Sequence, residues 1–201
     1  MIINKEYVAT NMTVGLMYKE LKLTAKLIEE GLTLKEIRQK SYNENIYQAR
    51  SENFKKTITS ILLTRIKVLD ENLIRILSTA NLELEKQIAI YSVMKSDRLF
   101  FEFMREIYAE KIINKENKIS SKDIENFMEI KREQSPKVNS WKNTTTNRLR
   151  SSYVGMLYEA GFAKKHNGYI EIVTPIIDYK LEQYLKDINE KFYLDIMTGE
   201  Y

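Results

Sequence analysis

Side chains that could bind phosphates and base edges are concentrated between positions 139 and 175. Apolar residues recur there at helical spacing and predict one buried stripe: Leu149, Tyr153, Met156, Leu157 and Ala160. The opposite face of that predicted helix carries short polar side chains and one guanidinium: Thr144, Asn147, Arg148 and Ser151. Because such groups hydrogen-bond to phosphates and to base edges, this face predicts a contact with nucleic acid.

The predicted helix has marked ends and leads into a tight hairpin. A hydroxyl of Thr144 or Thr145 is expected to cap its first turn, and Gly161 is expected to end it in the left-handed conformation. The pair Asn167-Gly168 lies between two strand-like runs and predicts a hairpin turn. Two lysines just before the turn make the hairpin basic: Lys164 and Lys165. This order is typical of the recognition half of a winged helix; the alternative is a helix and hairpin that only close a core.

A second basic face is predicted on a helix over residues 51–69. It carries three lysines outside the apolar stripe: Lys55, Lys56 and Lys67. A capping box at Thr33 and Glu36 begins the preceding helix, so residues 33–69 resemble a helix-turn-helix. We interpret these lysines as a solvated face that reads no bases. They remain candidates for backbone contact, which requires only positive charge.

The distribution of charge supports the first region more than the second. The formal net charge of the chain is +4. Residues 131–170 hold eight basic and two acidic side chains, whereas residues 171–201 hold three basic and seven acidic ones. The strongest positive block therefore coincides with the predicted helix and hairpin, as expected of a surface that contacts DNA.

Several other classes of protein find no support in the sequence. The chain has no cysteine, which excludes disulfides and thiolate chemistry and fits a reducing compartment. No apolar run approaches the roughly 20 residues that span a bilayer, so we expect a cytoplasmic protein without a membrane segment. The single histidine, His166, has no evident catalytic partner, and no phosphate-binding loop or hydrolytic metal motif occurs. We expect no enzyme, no catalytic or metal site and no cofactor.

Few glycines and prolines interrupt the long periodic runs, which predicts a mainly α protein. The polar stretch at residues 114–119 reads as a linker. It divides an N-terminal helical bundle with a helix-turn-helix-like element (residues 1–115) from a C-terminal winged-helix-like domain with one short hairpin and a docking tail (residues 120–201).

The chain also resembles a known family. The resemblance extends over nearly the whole sequence and is carried by the order and spacing of short markers: Asn11-Met-Thr-Val-Gly-Leu16, Gly31-Leu-Thr33, Arg50-Ser51, Ser140-Trp141, Thr146, Leu149, Leu157-Tyr-Glu-Ala-Gly-Phe162 and Tyr193-Leu-Asp-Ile-Met197. It is similar to the small BrxA-type component of BREX bacteriophage-exclusion systems. The resemblance implies a helical, non-enzymatic DNA-binding accessory that works beside a methyltransferase and an ATPase.

Two other functions stay open at this point. A helical adaptor could hold other defence subunits through its helix faces and apolar tail. An RNA-binding helical bundle would use the N-terminal region instead. The sequence defines neither a preferred DNA site nor an oligomeric state.

Overall fold

The computed structural model describes Ile2 and residues 5–200 and is mainly α-helical, as the sequence predicts. Its residue contacts form two compact units. The first unit combines the N-terminal residues up to Leu16 with the chain from Asp97 onward, and the second runs from Met17 to Ser96.

The second unit is a bundle of helices: α1 (Tyr18–Glu29), α2 (Leu34–Glu44), α3 (Glu52–Ile66), α4 (Glu71–Thr79) and α5 (Leu82–Ser96). Side-chain caps fix several of its helix starts. Thr33 and Glu36 form the predicted capping box of α2, and the Asp70 carboxylate accepts from the Leu73 amide at 2.9 Å. Buried side chains lie on every side of α5, which packs against α1, α3 and α4 and forms the centre of the bundle.

The first unit begins with a 3-10 turn (Thr10–Thr13) and resumes with a long helix in three parts. These are α6 (Arg98–Phe103), a π-helical turn (Met104–Ala109) and α7 (Glu110–Ile113). The remaining elements in chain order are β1 (Lys118–Ile119), α8 (Ser121–Gln134), α9 (Pro136–Asn139), α10 (Asn143–Ala160), β2 (Ala163–His166), β3 (Tyr169–Ile172), α11 (Tyr179–Asp187) and α12 (Lys191–Thr198).

Aromatic side chains form the core of this unit. Phe100 meets Tyr153 edge-on with ring centroids 5.1 Å apart, and Phe103 meets Phe127 at 5.8 Å. Tyr108 lies 5.9 Å from Phe162 and is also fully buried. The aromatic run after Asp97 therefore joins the long helix to α8 and α10.

The three strands form an antiparallel sheet in the order β1-β3-β2. Strand β1 includes two residues of the stretch predicted to be a linker, and Ile119 within it is completely buried. The packing therefore differs from the predicted division at residues 114–119. The long helix that precedes β1 packs against α8 and α12, and β1 pairs with β3, so both sides of that stretch belong to the first unit.

Candidate nucleic-acid interface

Helix α10 places the predicted polar face at the surface of the first unit. The predicted stripe is buried on the other side: Leu149, Tyr153, Met156, Leu157 and Ala160. Gly161 ends the helix in the left-handed conformation, with φ at 81°, as predicted. The predicted threonine cap is wrong. The helix begins at Asn143, one residue before Thr144, so neither threonine occupies the cap position, and Lys142 there provides no side-chain cap.

The four predicted contact residues of α10 are all exposed: Thr144, Asn147, Arg148 and Ser151. Other cations of the same basic block already have partners. Arg150 donates to Glu125 at 2.9 Å, and Arg132 donates to Asn143 at 2.7 Å and to the buried Thr146 at 3.0 Å. Among the residues that the structure describes, Arg148 makes no hydrogen bond or ion pair through its guanidinium. Its charge is therefore available to a ligand.

The hairpin presents its two lysines on opposite faces. The strand register pairs Lys164 with Glu171 and Lys165 with Ile170. Since adjacent strand residues point to opposite sides of a sheet, the two ammonium groups cannot both face one flat partner. Both side chains are exposed, and the described residues offer neither of them a salt bridge. Lys164 nevertheless shares its face with the carboxylate of Glu171, whereas Lys165 has an aliphatic neighbour.

The face that carries Lys164 holds further side chains that sequence reasoning did not assign to the site. His166 Nε2 lies 2.8 Å from Glu171 Oε2, and the His166 ring stacks on Tyr169 at 5.0 Å. Lys118 of β1 places its ammonium 4.7 Å from the centroid of Tyr169. Lys118 joins this group through strand pairing alone, so only a correct assignment of β1 could have identified it.

A segment from the N-terminus runs along α10 beside the polar face. Residues 11–16, which we call the N-terminal strap, comprise the last three residues of the 3-10 turn and the three residues that follow it. The Ser152 hydroxyl lies 2.6 Å from the carbonyl oxygen of Asn11 and 2.7 Å from that of Val14. The apolar periodicity of residues 11–30 predicts one amphipathic helix, but α1 begins only at Tyr18, so the packing of the strap against α10 could not be anticipated from that pattern.

The end of the strap is fixed to the last turns of α10. The Leu16 amide donates to Glu159 Oε2 at 3.0 Å. A Cβ atom at Gly15 would lie 2.2 Å from Glu159 Oε1, so any larger residue would displace the Glu159 carboxylate from this contact. Between strap and helix runs an open groove of about 460 Å³, lined by Met12, Thr13, Val14, Gly15, Asn147, Arg148, Ser151, Ser152, Gly155 and Glu159. Three of the four predicted contact residues of α10 thus form one wall of this groove.

A buried polar cluster of Asn11, Asp97 and Tyr153 fixes the strap to the core of the first unit. The Asn11 amide donates to Asp97 Oδ2 at 2.7 Å, and the Tyr153 hydroxyl donates to the same oxygen at 3.2 Å. Asp97 also caps α6 by accepting from the Phe100 amide at 3.1 Å. Burial raises the pKa of Asp97, although these donors act against the shift. Burial, with Asp97 close by, raises the pKa of Tyr153 well above its usual range. The cluster is completely enclosed and serves to hold strap, α6 and α10 together.

The lysines of α3 differ from the prediction in one respect. Lys55 is 7% exposed and donates to the Tyr42 carbonyl oxygen at 3.0 Å and to Glu52 at 2.6 Å, so it is not available to a nucleic acid. The prediction failed because α2, which supplies the carbonyl, packs over the flank where Lys55 lies. Lys56 and Lys67 are exposed as predicted.

A third group of charges is buried in the first unit. Lys131 is 3% exposed and lies 2.9 Å from Glu102 and 2.7 Å from Glu106. Glu102 also accepts from Arg98 at 2.8 Å and from the Tyr7 hydroxyl at 2.9 Å. Although burial raises the pKa of Glu102, hydrogen bonds from Arg98, Lys131 and Tyr7 hold it below its usual range. Burial and Glu102 raise the pKa of Tyr7 to about 12. The charged groups of this network are paired with one another.

The described part of the chain shows neither a metal-binding cluster nor a membrane-spanning helix. Within it, no group of three or more histidine, aspartate or glutamate residues is placed to hold a metal ion. No helix there is both long enough and apolar enough to cross a bilayer.

Comparison with known proteins identifies the family. A sequence profile of the BrxA family matches residues 5–189. The chain belongs to the BrxA family. A curated BrxA relative from Bacillus cereus (strain H3081.97), "BREX protein BrxA", is 36% identical over 200 residues and covers 100% of both chains. A relative of the same name from Paramagnetospirillum magneticum (strain ATCC 700264 / AMB-1) is 21% identical over 178 residues and covers 89% of each.

The fold also occurs in a solved structure. The crystal structure of an uncharacterized protein from Magnetospirillum magneticum superposes with a TM-score of 0.84 at 20% identity, covering 98% of this chain and 100% of that one. At 20% identity, this likeness shows only that the two chains share a fold.

Proposed function

We propose that this protein is a non-enzymatic component of a BREX phage-defence system that binds duplex DNA through α10 and the β2–β3 hairpin. The observation that carries the proposal is the set of cations left unpaired on these two adjacent elements: Arg148, Lys164 and Lys165. Phosphate contact supplies most of the affinity of DNA-binding proteins and requires such free cations.

The order of elements supports the proposal. The long helix, β1, α8, α10 and the β2–β3 hairpin follow one another as in a winged helix, and the sheet order β1-β3-β2 fits that arrangement. In DNA-binding proteins of the related helix-turn-helix type, the recognition helix lies in the major groove. Here that helix is α10, whose exposed face offers an amide, a guanidinium and two hydroxyls. The membership in BREX rests on the names of the two relatives.

Fluorescence anisotropy with labelled duplex DNA at two salt concentrations tests the proposal. We expect binding at low salt that weakens as salt rises, because bound phosphates release counterions. A variant with Arg148→Ala, Lys164→Ala and Lys165→Ala is expected to lose most of this affinity and to keep its thermal stability, since all three side chains are exposed. The absence of any binding to duplex DNA at low salt would refute the proposed function. Tighter binding to structured RNA in competition would instead favour the RNA-binding alternative.

A second candidate function is an adaptor for other BREX subunits such as the methyltransferase or the ATPase. It is favoured by two exposed apolar side chains after the hairpin, Ile176 at 95% and Tyr179 at 72% exposure, in the acidic C-terminal stretch that would repel DNA. Co-purification with these subunits in the presence of nuclease tests it. We expect the double variant Ile176→Ser, Tyr179→Ser to lose a subunit that wild type retains.

A further inference from the structure

The groove between the N-terminal strap and α10 joins residues far apart in the sequence. Its volume of about 460 Å³ falls within the range of roughly 300–1,000 Å³ that is usual for ligand clefts. Both walls belong to the first unit, and hydrogen bonds to Ser152 and Glu159 hold the strap against α10. The groove is therefore a built feature of this unit.

The donors in the groove suit an anionic and polar ligand. Arg148 supplies a guanidinium, and the opposite wall supplies the exposed hydroxyl of Thr13. Asn147 and Ser151 add an amide and a second hydroxyl. Within the described part of the chain none of these four side chains has a hydrogen-bond partner. Guanidinium and hydroxyl groups are typical partners of the sugar–phosphate backbone.

The acidic end of the groove is already occupied. Glu159, the carboxylate among the lining residues, accepts from the Leu16 amide and covers Gly15. At Gly155, in contrast, a Cβ atom would meet no other atom within 4 Å, so the middle of the groove is open. Gly155 lies one helical turn before Glu159 and two turns after Arg148, so the open part lies between the guanidinium and the carboxylate.

We propose that one sugar–phosphate strand of bound nucleic acid lies in this groove, so that the N-terminal strap forms part of the interface. The inference rests on the proposed function and extends it, because it assigns Thr13 as a contact residue and Gly155 as the position that the strand passes. Arg148 then contacts the strand at the mouth of the groove. The binding surface consequently comprises two segments more than a hundred residues apart.

Filling the groove at Gly155 tests this inference. Gly155→Leu places a side chain in the open space and replaces a helical glycine with a better helix former, so the thermal midpoint should hold or rise. We expect about a tenfold or greater loss of affinity for duplex DNA in anisotropy titrations, the effect of losing one charge-assisted hydrogen bond. Asn126→Leu is the matched control, because Asn126 is an exposed polar residue of α8 outside the groove.

A second pair of variants keeps the test independent of the folding of the first. Thr10 and Thr13 are both exposed residues of one 3-10 turn, and only Thr13 lines the groove. Thr13→Asp places a carboxylate in the groove in place of a contact residue and should weaken binding about tenfold, whereas Thr10→Asp, about 6 Å away and outside the lining, should weaken it less. If wild type binds DNA and both Gly155→Leu and Thr13→Asp bind equally well, the groove is not the path of the strand and only this inference fails. If wild type binds no DNA, the proposed function fails with it.

Discussion

Lys131 in α8 and Arg148 in α10 belong to the same positive stretch of sequence, yet the fold uses their charges in opposite ways. Lys131 is buried between Glu102 and Glu106, whereas Arg148 is exposed and forms no ion pair with any residue that the structure describes. The first cation stabilises the core of the unit and the second remains available for binding. A formal count of charge therefore overestimates the charge that a ligand can meet.

The same contrast occurs within α3 of the second unit. The Lys55 ammonium is hydrogen-bonded to the Tyr42 carbonyl and to Glu52, whereas Lys56 beside it is exposed. The remaining exposed lysine, Lys67, lies eleven positions further, about 16 Å along a helix axis. The hairpin instead places two cations at adjacent positions, on opposite faces of the sheet, beside α10. The two regions therefore differ more in how closely their unpaired cations are spaced than in how many they have.

Removal of the buried cation is expected to have the largest effect. Lys131→Ala leaves Glu102 with one cation fewer in a buried setting and should lower the free energy of unfolding by about 3–5 kcal/mol. Urea denaturation followed by circular dichroism measures this change. Lys137→Ala, at an exposed position just after α8, is the control and should change stability by less than about 0.5 kcal/mol. Equal losses of stability in the two variants would show that the buried Lys131 stabilises the fold no more than an exposed lysine does.

Acidification is expected to weaken the same network. The pKa of Glu102 is lower in the folded state than its ordinary value of 4.5, so the ionised carboxylate stabilises the fold above that pH. This contribution is lost as pH falls from about 4.5 through the folded-state pKa. Stability curves for wild type and Glu102→Gln should therefore converge on acidification below pH 4.5. Curves that stay parallel through this window would show that Glu102 does not drive the acid response.

Removal of the exposed guanidinium is expected to affect binding and not stability. Arg148→Ala should cost about 1–3 kcal/mol of binding free energy on a preferred DNA site if the side chain reads a base. On DNA without such a site it should behave as the loss of one phosphate contact. Thermal denaturation should be unchanged because the side chain is exposed. A stability loss as large as that of Lys131→Ala would place Arg148 in a structural role.

The two hairpin lysines are expected to differ from each other. Each phosphate contact contributes about 0.9 to the slope of log K against log salt for duplex DNA. Lys165→Ala should lower the slope by about this amount, and Lys164→Ala by less, because Glu171 lies opposite Lys164 and offsets its charge. Anisotropy titrations across a salt series measure both slopes. The reverse ranking would indicate that DNA meets the face of the hairpin that carries Tyr169.

The smallest effect is expected for the second unit. Reversal of two exposed lysines of the second unit, Lys56→Glu in α3 with Lys67→Glu just after it, should change DNA affinity by less than reversal of Lys164 and Lys165, because Lys56 and Lys67 are far apart. The two double variants carry the same change in net charge, so each controls for the other in one titration. Loss of binding only in the α3 variant would move the contact surface to the second unit.

Local features of the site were predictable because their signals are local. Gly161 and Gly168 have a positive φ, which few other residues adopt, so the end of α10 and the hairpin turn followed from the sequence. The apolar stripe of α10 followed from its period. The capping box at Thr33 was confirmed for the same reason.

Features made by distant partners were not predictable in this way. Strand β1 is two residues long and exists only because β3 pairs with it. The strap lies on α10 through contacts across about 140 positions, such as that of Leu16 with Glu159. The one signal was Gly15 itself, a glycine within an otherwise helical pattern, which often marks a close approach of the backbone.

The π-helical turn at Met104–Ala109 constrains how the sequence can vary among relatives. A π turn holds one residue more than the α-helix into which it is inserted, and the extra residue shifts the phase of every side chain that follows. Within the turn Met104 and Tyr108 are both buried, and the Tyr108 hydroxyl donates to the Val173 carbonyl at 3.0 Å. Loss of a single codon in this stretch would restore a regular helix and turn Tyr108 away from that carbonyl. Among relatives, a one-residue gap at this point should therefore be accompanied by a different residue at the position that meets the strand end.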